Sequence, residues 1–398
     1  MLQSNNNLVI LTTDMLQKLL ITNCRLFDVP DEAETMSILI ENGTITQIGQ
    51  INPLAGCNTL DAQDRIAAPG FIDVHIQGAG GADVLDATPE ALKAISQTCA
   101  RFGTTSFLAT TVFKPKQKNQ HLNIAAEQVG RDLGGANLLG IHLEGPFISM
   151  QKKGMIQPDC IGPPSMQMLD EILDITNGQL KMMTIAPELP DCTQIIKRLI
   201  DSCVIASFGH SSATYEQTID GFTAGISHVT HLFNAMPSLH HRKPGPLAAI
   251  FETKHITAQL IPDGVHIHPA VLKFAFEILG PNRTIPITDG MQALGLGDGQ
   301  FIYNGIEYES KNGTARYEDG TLIGTALGLS HLLERLTSFT GCPFETAIKA
   351  VTQKTAELLH IEDRKGSIAP GKDADLVLLD RNYSVHTTIV AGKVVFPK

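Results

Sequence analysis

The sequence has no surplus of lysine and arginine, no apolar run long enough to span a bilayer, no Cys-x-x-Cys pair, no internal repeat and no low-complexity tract. Each absence removes a class of function. Lysine plus arginine number 30 against 41 aspartate plus glutamate, a formal charge of −11. Nucleic acid and anionic membrane surfaces reward the opposite balance. An anionic small molecule stays open, because a local basic pocket can sit inside an acidic protein. Without about 20 consecutive apolar residues no transmembrane helix is expected, and the N-terminus carries neither the basic region nor the cleavage pattern of a signal peptide. Cys24, Cys57, Cys99, Cys160, Cys192, Cys203 and Cys342 are odd in number and scattered, as reduced thiols of a cytoplasmic protein are. The expectation is a soluble, cytoplasmic protein with no nucleic-acid or membrane partner.

What is present is a chain of 398 residues, 43% of them hydrophobic, enough for one large core and a smaller satellite. After about residue 66 the pattern settles into strand followed by helix. Short, apolar, often β-branched runs at 70–76, 104–111, 138–143, 181–186, 204–208, 227–230, 256–261 and 284–288 read as strands buried on both faces. Between them, 89–102, 169–176, 193–201, 215–224 and 269–279 have helical spacing, several opening on Pro or a Thr/Asp cap and closing on Gly. Eight such units over about 250 residues predict an α/β fold, a (β/α)8 TIM barrel. An open doubly wound sheet is the competitor, but it explains less well why polar residues recur at the ends of at least five strands. Alternating stretches at 20–27, 37–41 and 44–48, broken by Asn42-Gly43, pair most simply with 374–379 and 387–395 into a small β-sandwich. The expected division is an N-terminal extension (1–18), the β-sandwich (19–66 plus 366–398) and the barrel (67–365). Residues 300–322, bracketed by Gly299 and Gly324, read as a further β-hairpin.

Chemistry gathers at the strand ends. His75 ends the first strand, Glu144 the third, His210 the fifth, His231 follows the sixth, and Asp289 ends the eighth. In such a barrel the active site lies at the carboxyl ends. One carboxylate and two imidazoles with an open fourth position suit catalytic zinc, and a bound divalent ion lowers the pKa of its water to about 7. Asp289 is then placed to take a proton from water and pass it to a leaving amine. Any one of these residues alone is an ordinary packing residue; together at four strand ends they predict a metal-dependent hydrolase. Iron, cobalt or manganese would also suit Glu144, His210 and His231. His142 shares a strand face with Glu144 and can support it. His121, His255, His331, His360 and His386 fall in helices, at helix ends or in the flanking β-segments and receive no catalytic role.

These residues also carry a resemblance. The Pro-Gly-Phe-Ile-Asp-Val-His run at 69–75, His-Leu-Glu-Gly-Pro-Phe at 142–147, Gly-His-Ser at 209–211, His-Leu-Phe-Asn-Ala-Met at 231–236, Thr-Asp-Gly at 288–290 and the tail from Gly366 to Leu376 resemble the amidohydrolase superfamily. Within it the chain is similar, from about residue 19 onward, to the N-acetylglucosamine-6-phosphate deacetylases. The resemblance implies hydrolysis of the acetamide of an amino-sugar phosphate, in amino-sugar catabolism. It implies metal ligation by Glu144, His210 and His231 and acid/base work by Asp289. Asn234, Ala235, Arg242 and His266 would contact the substrate, with Arg242 reaching a phosphate across a homodimer interface.

Two departures from the family pattern qualify this. Two-metal relatives carry His-x-His after the first strand, whereas this chain has His75-Ile76-Gln77. A single divalent ion per subunit is therefore expected, with His75 left as a ligand for a weak second one. Many relatives also have a carbonyl-holding histidine where Ile156 stands, so Gln157, another histidine or the metal alone must polarise the carbonyl. That substitution keeps the galactosamine epimer in view as substrate. A non-catalytic scaffold is the more distant alternative, disfavoured because a scaffold needs none of Glu144, His210, His231 and Asp289.

Overall fold

The computed structural model describes residues 18–397 except 31–33 and 53–55. The expected N-terminal extension lies outside the described residues apart from Lys18, which opens the first strand of the β-domain. Eight short strands form the centre of the molecule: β1 (Phe71–Ile76), β2 (Thr104–Thr111), β3 (Asn137–Glu144), β4 (Leu180–Ile185), β5 (Ile205–Phe208), β6 (His228–Val229), β7 (Thr257–Leu260) and β8 (Thr284–Pro286). Each pairs in parallel with the next in chain order. They are buried almost throughout, which is why they are apolar on both faces rather than alternating.

The sheet curls until its ends meet. The Asp289 N–H donates to the His75 carbonyl at 2.9 Å, and the Gln77 and Gly78 N–H groups both donate to the Gly290 carbonyl at 2.9 Å. The result is the expected barrel, nearly closed, with helices between strands. Their ends follow ordinary capping chemistry: Thr88 accepts the Ala91 N–H ahead of Pro89–Ala100, and Thr214 forms a capping box with Gln217 ahead of Tyr215–Ala224. No helix among the described residues is long and apolar enough to cross a membrane.

The terminal segments form a separate β-domain. Ile66–Pro69 pairs antiparallel with Leu376–Leu379, joining strands from both ends of the chain into one hydrogen-bonded path. Lys18–Leu26 belongs to both halves, pairing with Met36–Glu41 and Asn58–Asp61 along its start and with Ile66–Pro69 at its end. The ladder folds over a small core that includes Ile21, Ile38, Ile40, Ile45, Leu376, Leu378 and Ile389. The tail motif fastens this domain to the barrel: Lys365 is buried between Asp373 and Asp375, and the Asp375 carbonyl accepts the Gly70 N–H at 2.9 Å.

The region expected as one hairpin is a correction. Gly299–Tyr303, Ile306–Lys311, Thr314–Tyr317 and Leu322–Thr325 form a four-stranded antiparallel meander. The segment holds two Asn-Gly turns, Asn304-Gly305 and Asn312-Gly313, with φ of 49°, 81°, 53° and 81° in order. Each is a tight-turn signal in its own right, so a single hairpin undercounts the strands. The meander hangs from the eighth strand's end, where the Thr325 N–H donates to the Asp289 carbonyl at 2.9 Å.

Asp73 closes the seam between β1 and the end of β8. It is buried, and its carboxylate accepts the His75 N–H at 3.2 Å, the Thr288 N–H at 3.4 Å and the Thr288 hydroxyl at 2.5 Å. Burial pushes its carboxyl up to about 7, against the pull of the hydrogen bonds from Thr288 and His75. Asp73→Ala would strand buried donors, at about 1–3 kcal/mol for each one left unsatisfied. The expected loss in urea unfolding is at least about 2 kcal/mol; unchanged stability would show that the seam closes without it.

Candidate active site

The barrel's carboxyl ends deliver their side chains to one place. Glu144 is the last residue of β3; His210 and His231 each stand two residues beyond β5 and β6, and Asp289 stands three beyond β8. The chain turns sharply at these points. His210, His231 and Asp289 have φ of 48°, 28° and 47°, the left-handed region that residues other than glycine seldom occupy. Such conformations cost on the order of 1–3 kcal/mol each and gather at functional sites.

Glu144 Oε1 lies 2.9 Å from Nε2 of His210 and 2.9 Å from Nε2 of His231, and the two nitrogens are 3.0 Å apart. All three residues are buried. The protonation pattern follows from the partners. Nδ1 of His210 is 2.7 Å from the Lys152 carbonyl, which only accepts, so Nδ1 carries a proton and Nε2 is the nitrogen turned toward Glu144 and His231. Glu144 remains ionised: burial pushes its carboxyl up, but nearby His75 and the contacts with His210 and His231 hold it well below the usual range. Burial opposes charge on His231 and the adjoining Glu144 favours it, with a net upward shift. A carboxylate and imidazole lone pairs converging this closely make a site that draws positive charge, and the donor set fits a divalent ion.

His75 reaches the same space. Its Nδ1 lies 3.0 Å from Gln259 Oε1, so that nitrogen donates and the ring is held with Nε2 toward the site. Nε2 is buried without a hydrogen-bond partner, 3.3 Å from Asp289 Oδ1 and 3.8 Å from Glu144 Oε2. Gln77 donates from Nε2 to Glu144 Oε2 at 3.4 Å, and its Oε1 is buried without a partner. Gln259 was missed at the level of sequence. It also accepts the His231 N–H at 3.2 Å, so one amide oxygen orients two histidines. Its signal was available as the one long polar side chain in Thr257–Leu260.

The other expected substrate residues lie in varied settings. Asn234 donates to the His231 and Leu232 carbonyls at 3.3 Å each, stiffening the loop behind the site. Ala235, at φ 52°, accepts the Ser211 N–H at 3.2 Å. Nδ1 of His266 donates to the Asp263 carboxylate at 2.7 Å, which fixes that ring and leaves Nε2 for another partner. Gln157 donates to the Asn304 carbonyl at 2.8 Å and so ties the loop after β3 to the meander. Ile156 is buried in an apolar cluster with Val112, Ile148 and Cys160 and offers no donor. Arg242 is exposed and meets Nε2 of His241 at 2.8 Å. Beside the site, a cavity of ≈ 640 Å³ runs between the loop at 153–158 and the meander, a volume within the range of small-ligand sites. The loop comes close to the triad at Gly154, where a Cβ would lie 3.3 Å from Cε1 of His210.

The sequence matches the amidohydrolase family over residues 66–395. The N-acetylglucosamine-6-phosphate deacetylase of Bacillus subtilis (strain 168) is 38% identical over 342 residues, covering 84% of this chain and 85% of that protein. The N-acetylgalactosamine-6-phosphate deacetylase of Escherichia coli O157:H7 is 32% identical over 347 residues, covering 87% and 92%. Among solved structures, a variant of the Mycobacterium smegmatis N-acetyl-D-glucosamine-6-phosphate deacetylase in complex with N-acetyl-D-glucosamine-6-phosphate has a TM-score of 0.85 at 29% identity. The alignment covers 96% of this chain and 99% of that one.

Elemental analysis of dialysed protein should find a divalent ion that His210→Ala, by removing one of three ligands, no longer retains. Equal metal content in the two proteins would place the ion elsewhere.

Proposed function

The chain belongs to the amidohydrolase family, and from that premise we infer that it hydrolyses N-acetyl-D-glucosamine 6-phosphate to D-glucosamine 6-phosphate and acetate, in amino-sugar catabolism. The single observation that carries the reading is the buried meeting of Glu144 with His210 and His231 beside Asp289. It occurs in a hydrolase whose relatives are named for this deacetylation. Glu144, His210 and His231 would hold one divalent ion, zinc by preference, whose part is to make water nucleophilic at neutral pH and to polarise an amide carbonyl.

The chain's own residues move the protons. A carbon–oxygen bond forms between water and the acetyl carbon, and the bond from that carbon to the sugar nitrogen breaks. Asp289 takes the water's proton and returns it to that nitrogen, so the amine leaves neutral. Nε2 of His75, on a ring that Gln259 orients, lies 3.3 Å from Asp289 Oδ1 and positions that carboxyl between the two transfers. Ile156 cannot donate and Gln157 is engaged by Asn304, so neither polarises the carbonyl, a task left to an ion that Glu144, His210 and His231 would hold. His75 with Gln77 makes a poor second metal site, because an amide oxygen is a weaker zinc ligand than imidazole.

The phosphate calls for cations. The cavity at 153–158 has Lys153 among Glu307, Glu318 and Asp319, an unfavourable lining for a dianion. The exposed Arg242 and Lys243 supply the missing charge, and a guanidinium matches phosphate geometry. We place Arg242 in a homodimer, reaching the neighbouring subunit's substrate, with Asn234, Ala235 and His266 on the sugar side. The seven free cysteines fit the cytoplasm. The galactosamine epimer is the second reading, favoured by the similarity to the Escherichia coli enzyme and by the isoleucine at 156. A scaffold role is disfavoured by the strained backbone at His210, His231 and Asp289, which packing alone does not require.

Acetate release with the two epimers side by side tests the assignment. Faster turnover of the glucosamine compound is expected, faster turnover of the other would move the chain to the sister activity, and none with either would remove both. Asp289→Asn should lower turnover by about 10²–10⁴-fold while substrate still binds; near-normal turnover would take Asp289 out of the mechanism. Arg242→Ala should raise KM for the phosphorylated sugar by about 10–100-fold, the loss of a hydrogen bond to a charged group. An equal effect on the unphosphorylated sugar would make the loop a bystander.

A further inference from the structure

Beneath the three strand-end residues lies a line of buried polar side chains that the chemistry above does not use. Nδ1 of His142 is 3.1 Å from the Val74 carbonyl, and Nε2 is 2.8 Å from the Thr184 hydroxyl. The Thr184 hydroxyl is 2.8 Å from that of Thr230, which is 2.7 Å from that of Ser207. All four side chains belong to residues at 0% exposure.

The direction of this line is forced. The Val74 carbonyl cannot donate, so Nδ1 of His142 carries a proton. A fully buried imidazolium with only a carbonyl and a hydroxyl as partners would be an unpaired charge in a low dielectric, so the ring is neutral and Nε2 accepts. Thr184 must donate to it. Each hydroxyl has a single proton, so Thr184 accepts from Thr230, and Thr230 in turn accepts from Ser207.

The line runs across the strands that carry the metal-ligand set. His142 is on β3 two residues before Glu144, and Thr184 on β4 stands opposite Glu144 in the strand register. Ser207 is on β5, the strand leading to His210, and Thr230 immediately precedes His231. Gly209, next to His210, packs between the two threonines: a Cβ there would lie 2.7 Å from Cγ2 of Thr184 and 3.0 Å from Cβ of Thr230. Left-handed backbone at His210 and His231 persists only where the surroundings over-determine it, and this line adjoins both turns, through Gly209 and through Thr230.

We propose that the directed line Ser207–Thr230–Thr184–His142 is a positioning network that sets the affinity of the site for its divalent ion by holding the ends of β3, β5 and β6 in register. It rests on the reading that Glu144, His210 and His231 hold that ion.

The test measures zinc affinity of metal-stripped protein by competition with a chelating dye, together with its thermal unfolding without metal. Thr230→Val keeps the branched shape and removes the hydroxyl. It should weaken zinc by about 10–100-fold, the usual effect of losing an outer partner of a metal ligand, with the midpoint of the metal-free protein little moved. Thr230→Ser restores the hydroxyl and should return affinity to near the parent value. Ser207→Ala removes only the first donor and should also weaken zinc, which keeps the test open should Thr230→Val fail to fold. Parent-like affinity in Thr230→Val or, failing that, in Ser207→Ala would overturn the proposal, as would a loss in Thr230→Ser equal to that in Thr230→Val. His210→Ala separates the underlying reading: if it binds zinc as tightly as the parent, the ligand assignment itself falls and the network's role with it.

Discussion

Three electron-rich atoms, one carboxylate oxygen and two imidazole nitrogens, stand about 3 Å apart on buried side chains. Their mutual repulsion and the loss of hydration would drive them apart unless something positive lies among them. Much of the rest of the molecule can be understood as the means of keeping them there. The Lys152 carbonyl fixes the tautomer of His210, Gln259 holds the His231 backbone and His75, and Gln77 steadies the second oxygen of Glu144. Three neighbouring residues accept left-handed backbone so that their side chains face inward.

A barrel supplies this arrangement because its strands all point the same way and converge at one mouth. Closure is polar as well as apolar. Asp73 gathers donors from β1 and from the end of β8, and the same seam carries His75 on one side and Asp289 on the other. The four-stranded meander continues from this seam and is joined to the loop after β3 by Gln157. The excursions lie outside the barrel, while Glu144, His210, His231 and Asp289 stay at or just beyond its strand ends.

Much of this was legible in the sequence, and what was not has identifiable causes. The eight strands were readable because strands buried on both faces are short apolar runs, and helices such as Pro89–Ala100 and Tyr215–Ala224 announced themselves through Thr caps. Glu144, His210 and His231 were legible because each ends an apolar run with a ligating side chain. The meander was undercounted because its second Asn-Gly turn was read as part of one hairpin. Gln259 showed only as the one long polar side chain in Thr257–Leu260, and its role exists through atoms distant in sequence. The engagement of Gln157 with Asn304 was hidden for the same reason: a three-dimensional contact between residues 147 positions apart leaves no local pattern.

The central claim is that one ion, held by Glu144, His210 and His231, powers the deacetylation. Its most direct test is a titration of metal-stripped protein with zinc, following bound ion and acetate release from N-acetyl-D-glucosamine 6-phosphate in the same sample. Activity should rise in proportion to bound zinc and stop rising at one ion per subunit. Full activity in the stripped protein, or activity that appears only with a second ion, would contradict it.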